Sequence, residues 1–162
     1  MQIILDPDQY DRIWDKVQHE FHFSPYGSPY GCTDQSPWIS FPFPCKKYRL
    51  DRLFSEEQEK IIRSIFRNIN PREMYALDWQ HGCFLYDPRE EIPFGYWFHD
   101  ATRNCNVYFP SYYPDGDYHF FASLDWSIGL YGHPWREEMI VAGEALIREF
   151  ERVQNALPVT AL

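Results

Sequence analysis

Between residues 73 and 132 one unit recurs: a short run of aromatic and β-branched residues, then a tight turn, then another such run. "REMYALDWQHGCFLYDP" reads as two strands meeting near His81-Gly82, a hairpin. "FGYWFHD" and "NCNVYFPSYY" follow as strands, and "DYHFFASLD" and "WSIGLYG" as a further pair. The turn between the second and third pairs carries its own mechanism in "PDG": Pro114 sets φ, Asp115 bonds its own backbone, and Gly116 accepts a positive φ. Strands joined by turns this short pair antiparallel.

Helical periodicity appears on either side of the strands. Tyr10, Ile13, Trp14, Val17 and Phe21 form one stripe at three- and four-residue steps, with Asp6 or Asp8 as N-cap. "FSEEQEKIIRSIFRNINP" is a second helix, with Ser55 and Gln58 spaced as a capping box and Ile61, Ile62, Ile65, Phe66 and Ile69 on its buried face. "HPWREEMIVAGEALIREFERVQNAL" reads as a long amphipathic C-terminal helix, with Pro134 in the first turn and Glu137 and Glu138 favouring the macrodipole. Prolines exclude helix from "FHFSPYGSPYGCTDQSPWISFPFP", yet Trp38, Ile39, Phe41 and Phe43 are costly to leave in water. That stretch is expected to be an extended wrap over the core with one short edge strand. The expected fold class is α+β: an antiparallel sheet of about five or six strands, with two N-terminal helices and a long C-terminal helix packed on one face. The whole of 1–162 is read as a single domain, since a chain of this size buries roughly 70% of its unfolded surface.

Charge narrows the partners. With 24 acids against 15 bases the net charge is -9, and an acidic surface repels phosphate backbones, so no nucleic acid is expected as a partner. It favours basic partners and speeds their encounter. Aromatics at 19% are abundant enough that some Tyr and Trp are expected at the surface, where they suit recognition. Cys32, Cys45, Cys83 and Cys105 are widely spaced with no C-x-x-C pair, against zinc-ribbon and thioredoxin chemistry. The N-terminus lacks the basic and long apolar regions of a signal peptide, and no segment reaches membrane-spanning length. A reducing cytoplasm with free thiols and no membrane partner is the expected setting.

Histidines are the first residues to test for chemistry. His19 and His22 fall three apart at a helix end, with no third ligand near in sequence. His81, His119 and His133 lie at turns or strand ends with Asp78, Asp117 and Asp125 close by, a set able to build a metal site or a His/Asp acid–base pair. Their spacing matches no H-x-H or H-E-x-x-H signature. Ser123 lies mid-strand, without a nucleophile elbow. Neither Cys83 nor Cys105 opens a helix that would activate it, and no glycine-rich phosphate loop is present. Asp115 and Asp117 in "PDGDY" serve a turn before they serve acid–base work. No cofactor, metal or catalytic residue is assigned on these grounds.

"YALDWQH" (75–81), "PDGDYHFFASLD" (114–125), and "GHPW" (132–135) with the following "IVAGEALI" resemble, over the C-terminal half, a bacterial family known as domain of unknown function 2716. By analogy, small acidic domains of such families look like immunity proteins. The resemblance thus implies a cytoplasmic, non-catalytic protein that binds and neutralises a basic toxin domain. Acidic, aromatic-studded loops are the expected contact: Asp87, Glu90 and Glu91 beside Tyr96 and Trp97, and Tyr112 and Tyr113 beside Asp115 and Asp117. The alternative is a small metal-dependent or His/Asp hydrolase using His81, His119 and His133 with Asp117 or Asp125. Convergence separates the two: docking requires these groups to serve turns, whereas chemistry requires them to meet at one hollow. The sequence leaves the oligomeric state, the strand order and the partner's identity open.

Overall fold

The computed structural model describes residues 1–25, 37–69 and 72–162. Eight strands form one antiparallel sheet in the order β1 (Gln2–Ile3), β4 (Cys83–Tyr86), β3 (Met74–Asp78), β7 (His119–Ser123), β8 (Gly129–His133), β9 (Glu138–Ala142), β2 (Cys45–Leu50) and β10 (Val159–Ala161). A separate hairpin pairs β5 (Trp97–Asp100) with β6 (Cys105–Tyr108). The fold is α+β, as expected, but the sheet is wider than the five or six strands read from the sequence. Its extra strands lie outside the central repeat: β1 and β10 are short segments near the ends of the chain, and β2 directly follows a run of prolines.

The segment read as the front half of a long C-terminal helix is instead β9, and the helix α3 (Glu144–Val153) begins only after it. Met139, Ile140, Val141 and Ala142 are all buried, with alternate residues facing opposite cores. A helix offers one apolar stripe, whereas a central strand covered on both faces accepts a continuous apolar run. Gly143 makes the break: its φ is 93°, and a Cβ there would stand 2.4 Å from the Ser127 carbonyl oxygen. Pro134 does not open a helix but accepts the Glu137 amide, at 3.2 Å, in the β8–β9 turn.

Helices cover both faces of the sheet, not one. α2 (Glu56–Ile69) and α3 pack together on one side, where Ile62, Ile65, Phe66, Leu146 and Phe150 meet Met74, Ala76, Phe121, Leu130 and Val141. Ser55 and Gln58 form the expected capping box. On the other side α1 (Pro7–Asp15), capped by Asp6 and continued by a π turn at Lys16–Glu20, lays Ile13, Trp14 and Val17 on Leu77, Phe120, Tyr131 and Ile140. Phe21, Phe23, Trp38, Ile39, Phe41 and Phe43 complete that core from irregular backbone, as the wrap reading expects. No strand occurs among the described residues of the wrap, and its remainder, including Cys32, lies outside them.

Candidate functional site

Antiparallel pairing of β3 with β7 sets Asp78, the last residue of one, opposite His119, the first of the other. Both side chains project from the face that carries Met74, Ala76 and Phe121, because strand residues alternate. Each strand continues into a tight loop. Beyond Asp78 the chain turns through Trp79 and Gln80, whose φ of 65° lets His81 fold back onto Asp78. Ahead of His119, the 114–116 turn delivers Asp117. The Trp79 amide donates to the Tyr118 carbonyl at 3.0 Å and ties the two loops together.

Four titratable groups meet there. His81 Nδ1 lies 3.0 Å from Asp78 Oδ1 and 3.5 Å from Asp117 Oδ2, and one ligand-capable atom from each of the three residues lies within 4.8 Å of the other two. His119 Nε2 stands 3.7 Å from Asp78 Oδ1. The His119 Nδ1–H donates to the carbonyls of Ser111 at 2.9 Å and Tyr113 at 3.1 Å, so in the neutral ring the lone pair belongs to Nε2. Asp117 Oδ1 accepts the Tyr118 amide at 2.7 Å, which leaves Oδ2 for the cluster. Burial raises the carboxyls of Asp78 and Asp117 above the usual aspartate range, against the pull of His81 and His119. Burial alone would lower His81, but the charge and hydrogen bond of Asp78, with Asp117 behind it, raise it.

Asp78, His81 and His119 face a hollow of about 750 Å³, framed by α2, the β5–β6 hairpin and the 110–112 loop. That volume is in the range of small-molecule sites. Glu59 and Arg63 of α2 also line it. Glu59 is only 5% exposed, and burial pushes its carboxyl up to about 7 even though it accepts the amides of Tyr112 at 2.9 Å and Tyr113 at 3.2 Å. Glu59 thereby fixes the loop whose Ser111 and Tyr113 carbonyls orient His119. Nothing in the sequence marks Glu59 beyond its helix, where its neighbours at 56, 57 and 60 are solvated charges; only the tertiary contact singles it out.

Two of the three suspected imidazoles therefore converge and the third does not. His133 shares the opposite face with Tyr131, its ring against Trp38 at 5.1 Å and Tyr118 at 4.7 Å, and its Nδ1 accepts the Arg136 amide. Asp125 stays in its own turn, accepting from Ser123 Oγ at 2.6 Å and from the Ser127 amide at 3.0 Å.

Residues expected to meet a partner are scattered. Tyr112 is buried and bonded to the Tyr86 hydroxyl, and Asp117 is turned into the cluster, so neither is available to a docking protein. Asp87 is held by Arg89, and Glu90 by the N-terminal ammonium. Tyr113 is half-buried against Phe54. Glu91 and Asp115 are exposed, and Tyr96 and Asp115 reach the wall of the hollow. Trp97 is 52% exposed and its ring pairs with that of Tyr108, which also lines the hollow.

Residues 4–147 match the model of a family described as "Protein of unknown function (DUF2716)". The uncharacterised protein YxiI of Bacillus subtilis (strain 168) is 28% identical over 165 residues, covering 96% of this chain and 93% of that protein. No solved structure matches. The family likeness thus begins at the N-terminal helix and takes in the whole cluster, where the sequence motifs pointed to the C-terminal half alone.

Proposed function

The chain belongs to the DUF2716 family, and we propose that it is a small hydrolase whose reaction is carried by Asp78, His81, Asp117 and His119. One observation carries the reading: two imidazoles and two carboxylates, from paired strand ends and the loops beside them, meet beside a hollow large enough for a substrate. Structural ion pairs do not require such a hollow, and perturbed titratable groups lining one are the usual mark of chemistry. Meeting in this way, the groups favour bond-making over pure docking.

His119 is the general base. Its Nε2 takes a proton from water as the water oxygen attacks an acyl or phosphoryl centre held in the hollow. The bond to the leaving group breaks, and the same proton passes from Nε2 to that group. Asp78 and Asp117, with His81 between them, hold the water and balance the charge that develops on His119. Glu59 acts one step back, through the loop that keeps His119 in the tautomer a base requires. Turnover of a panel of p-nitrophenyl esters and phosphate mono- and diesters tests this. His119→Ala is expected to cost roughly 100-fold or more, the ordinary worth of a general base. A wild-type protein no faster than that variant on every substrate would remove the reading.

A second reading keeps one specific observation in its favour. Phe94, Trp97 and Tyr108 are each more than half exposed around the β5–β6 hairpin, on a chain of net charge -9. Paired exposed rings on an acidic protein suit the anchoring of a basic partner, as an immunity protein uses against a toxin domain. Co-expression of such a toxin with a Trp97→Ala/Tyr108→Ala double variant tests it. Lost protection with unchanged folding supports docking through the hairpin, and full protection excludes it.

A further inference from the structure

We infer that Asp78, His81 and Asp117 form a binding site for one divalent transition-metal ion, with His119 beside it. The ion deepens the hydrolase reading: its chemical role rests on that reading, but its binding does not.

Three ligands of two types are already gathered. One ligand atom from each of Asp78, His81 and Asp117 lies within 4.8 Å of the other two, a spread that an ion with bonds of about 2.0–2.2 Å closes by small side-chain rotations. The two carboxylates arrive from different segments, a strand end and a loop, and each is fixed independently of the other. Asp78 ends a strand in the middle of the sheet, while Asp117 is held through its second oxygen by the Tyr118 amide. Outer-shell support of this kind is what orients metal ligands elsewhere. One imidazole with two carboxylates suits Zn²⁺, Mn²⁺ or Fe²⁺ better than Mg²⁺ or Ca²⁺, which take all-oxygen shells. Three protein ligands leave a position open for water, as catalytic ions require.

His119 supplies a second, independent sign. Its side chain is 5% exposed, its Nδ1–H is committed to two backbone carbonyls, and its Nε2 is thereby held 3.7 Å from Asp78 Oδ1 at the wall of the hollow. An imidazole nitrogen fixed in this way, with its lone pair turned to the hollow beside a ligand carboxylate, is placed to accept from a water held there. An ion-bound water in the open position meets Nε2 and donates to it. Bound there, the ion acidifies its water beside the base that receives the proton.

Titration calorimetry of chelator-stripped full-length protein with Zn²⁺, Mn²⁺ and Mg²⁺ tests the inference. One Zn²⁺ or Mn²⁺ per chain, far tighter than Mg²⁺, is expected. His81→Ala is the first variant, since its ring is mostly exposed and the fold does not depend on it; Asp117→Asn is the second. Each is expected to weaken the ion roughly 10-fold or more, while His99→Ala on the hairpin leaves it unchanged. Absence of saturable one-to-one binding at concentrations up to about 1 mM, a level corresponding to only about 4 kcal/mol, overturns the inference. So does equal affinity in all three variants. Binding without turnover of any ester keeps the ion and removes the hydrolase; turnover in ion-free protein that added ion does not change keeps the hydrolase and removes the ion's chemical role.

Discussion

Glu59 and His133 are buried on opposite faces of the sheet, and burial displaces them in opposite directions. Glu59 rises from 4.5 to about 7, and His133 falls from 6.5 to about 4, through burial first and the charge of Arg136 second. Between pH 4.5 and 7 the folded protein holds a proton on Glu59 that the unfolded chain has released. This contribution to stability is complete below pH 4.5 and is lost as the pH climbs through about 7. For His133 the unfolded chain holds the extra proton. That contribution is complete above pH 6.5 and is lost as the pH falls through about 4. At about 1.36 kcal/mol per pH unit, each displacement corresponds to about 3 kcal/mol. The two slopes oppose each other and nearly cancel in the wild type between pH 4.5 and 6.5, so single variants unmask them. Urea unfolding of wild type, Glu59→Gln and His133→Phe at half-unit steps from about pH 4 to 8 measures this, and carboxylates common to all three drop out of the differences. Relative to wild type, Glu59→Gln is expected to gain about 3 kcal/mol as the pH rises through the window, whatever its fixed cost in lost amide contacts. His133→Phe is expected to lose about as much over the same range. Two difference curves flat to within about 1 kcal/mol would refute the burial argument for both residues.

Three further outcomes follow from close contacts. At Gly132 a Cβ would stand 2.8 Å from the Pro114 side chain, so Gly132→Ala is expected to cost about 1–3 kcal/mol and to weaken both turnover and ion affinity by displacing the turn that carries Asp117. Calorimetry and urea unfolding read the two effects separately. Gly143→Ala combines a φ of 93° with the Ser127 carbonyl at 2.4 Å, and its loss in a thermal melt is expected to exceed that of Gly132→Ala, with the site intact in whatever protein remains folded. Brief iodoacetamide treatment at pH 8, followed by peptide mapping, is expected to modify exposed Cys105 and spare Cys83, which is buried and pushed up to about 12.

How far the sequence exposes this protein depends on the range of the interactions. Hairpin β3–β4, the 114–116 turn and the Ser55/Gln58 cap are local, and their residues announce them. β9 is not local: "MIVA" satisfies a helical stripe and a buried strand equally, and only the β8 and β2 partners on its two sides decide. The cluster divides in the same way. His81 and Asp78 are three residues apart and His119 and Asp117 are two apart, so each pair is visible in the sequence. That the pairs share one site follows from a β3–β7 pairing that skips over the whole β5–β6 hairpin. His133 looked equivalent to the other two because strand parity is invisible until a neighbour in the same strand, here Tyr131, is known to face the opposite core.

Register is therefore what makes this site. Side chains alternate across a sheet, so a slip of one residue in β7 relative to β3 would turn His119 into the α1 core and place Phe120 against Asp78. Three contacts oppose that slip. Pro114 rests on the bare backbone of Gly132, the Trp79 amide bonds the Tyr118 carbonyl, and Glu59 gathers the amides of Tyr112 and Tyr113 from the far side of the hollow. Each of them lies outside the ladder, at the end of the sheet where the four polar side chains meet. A strand pair held only for packing needs no such clamp, since Met74, Ala76 and Phe121 already fix its apolar register from the core. The added restraint is concentrated at the ring of His119 and the free oxygen of Asp117, where the proposed chemistry is sensitive to angular error.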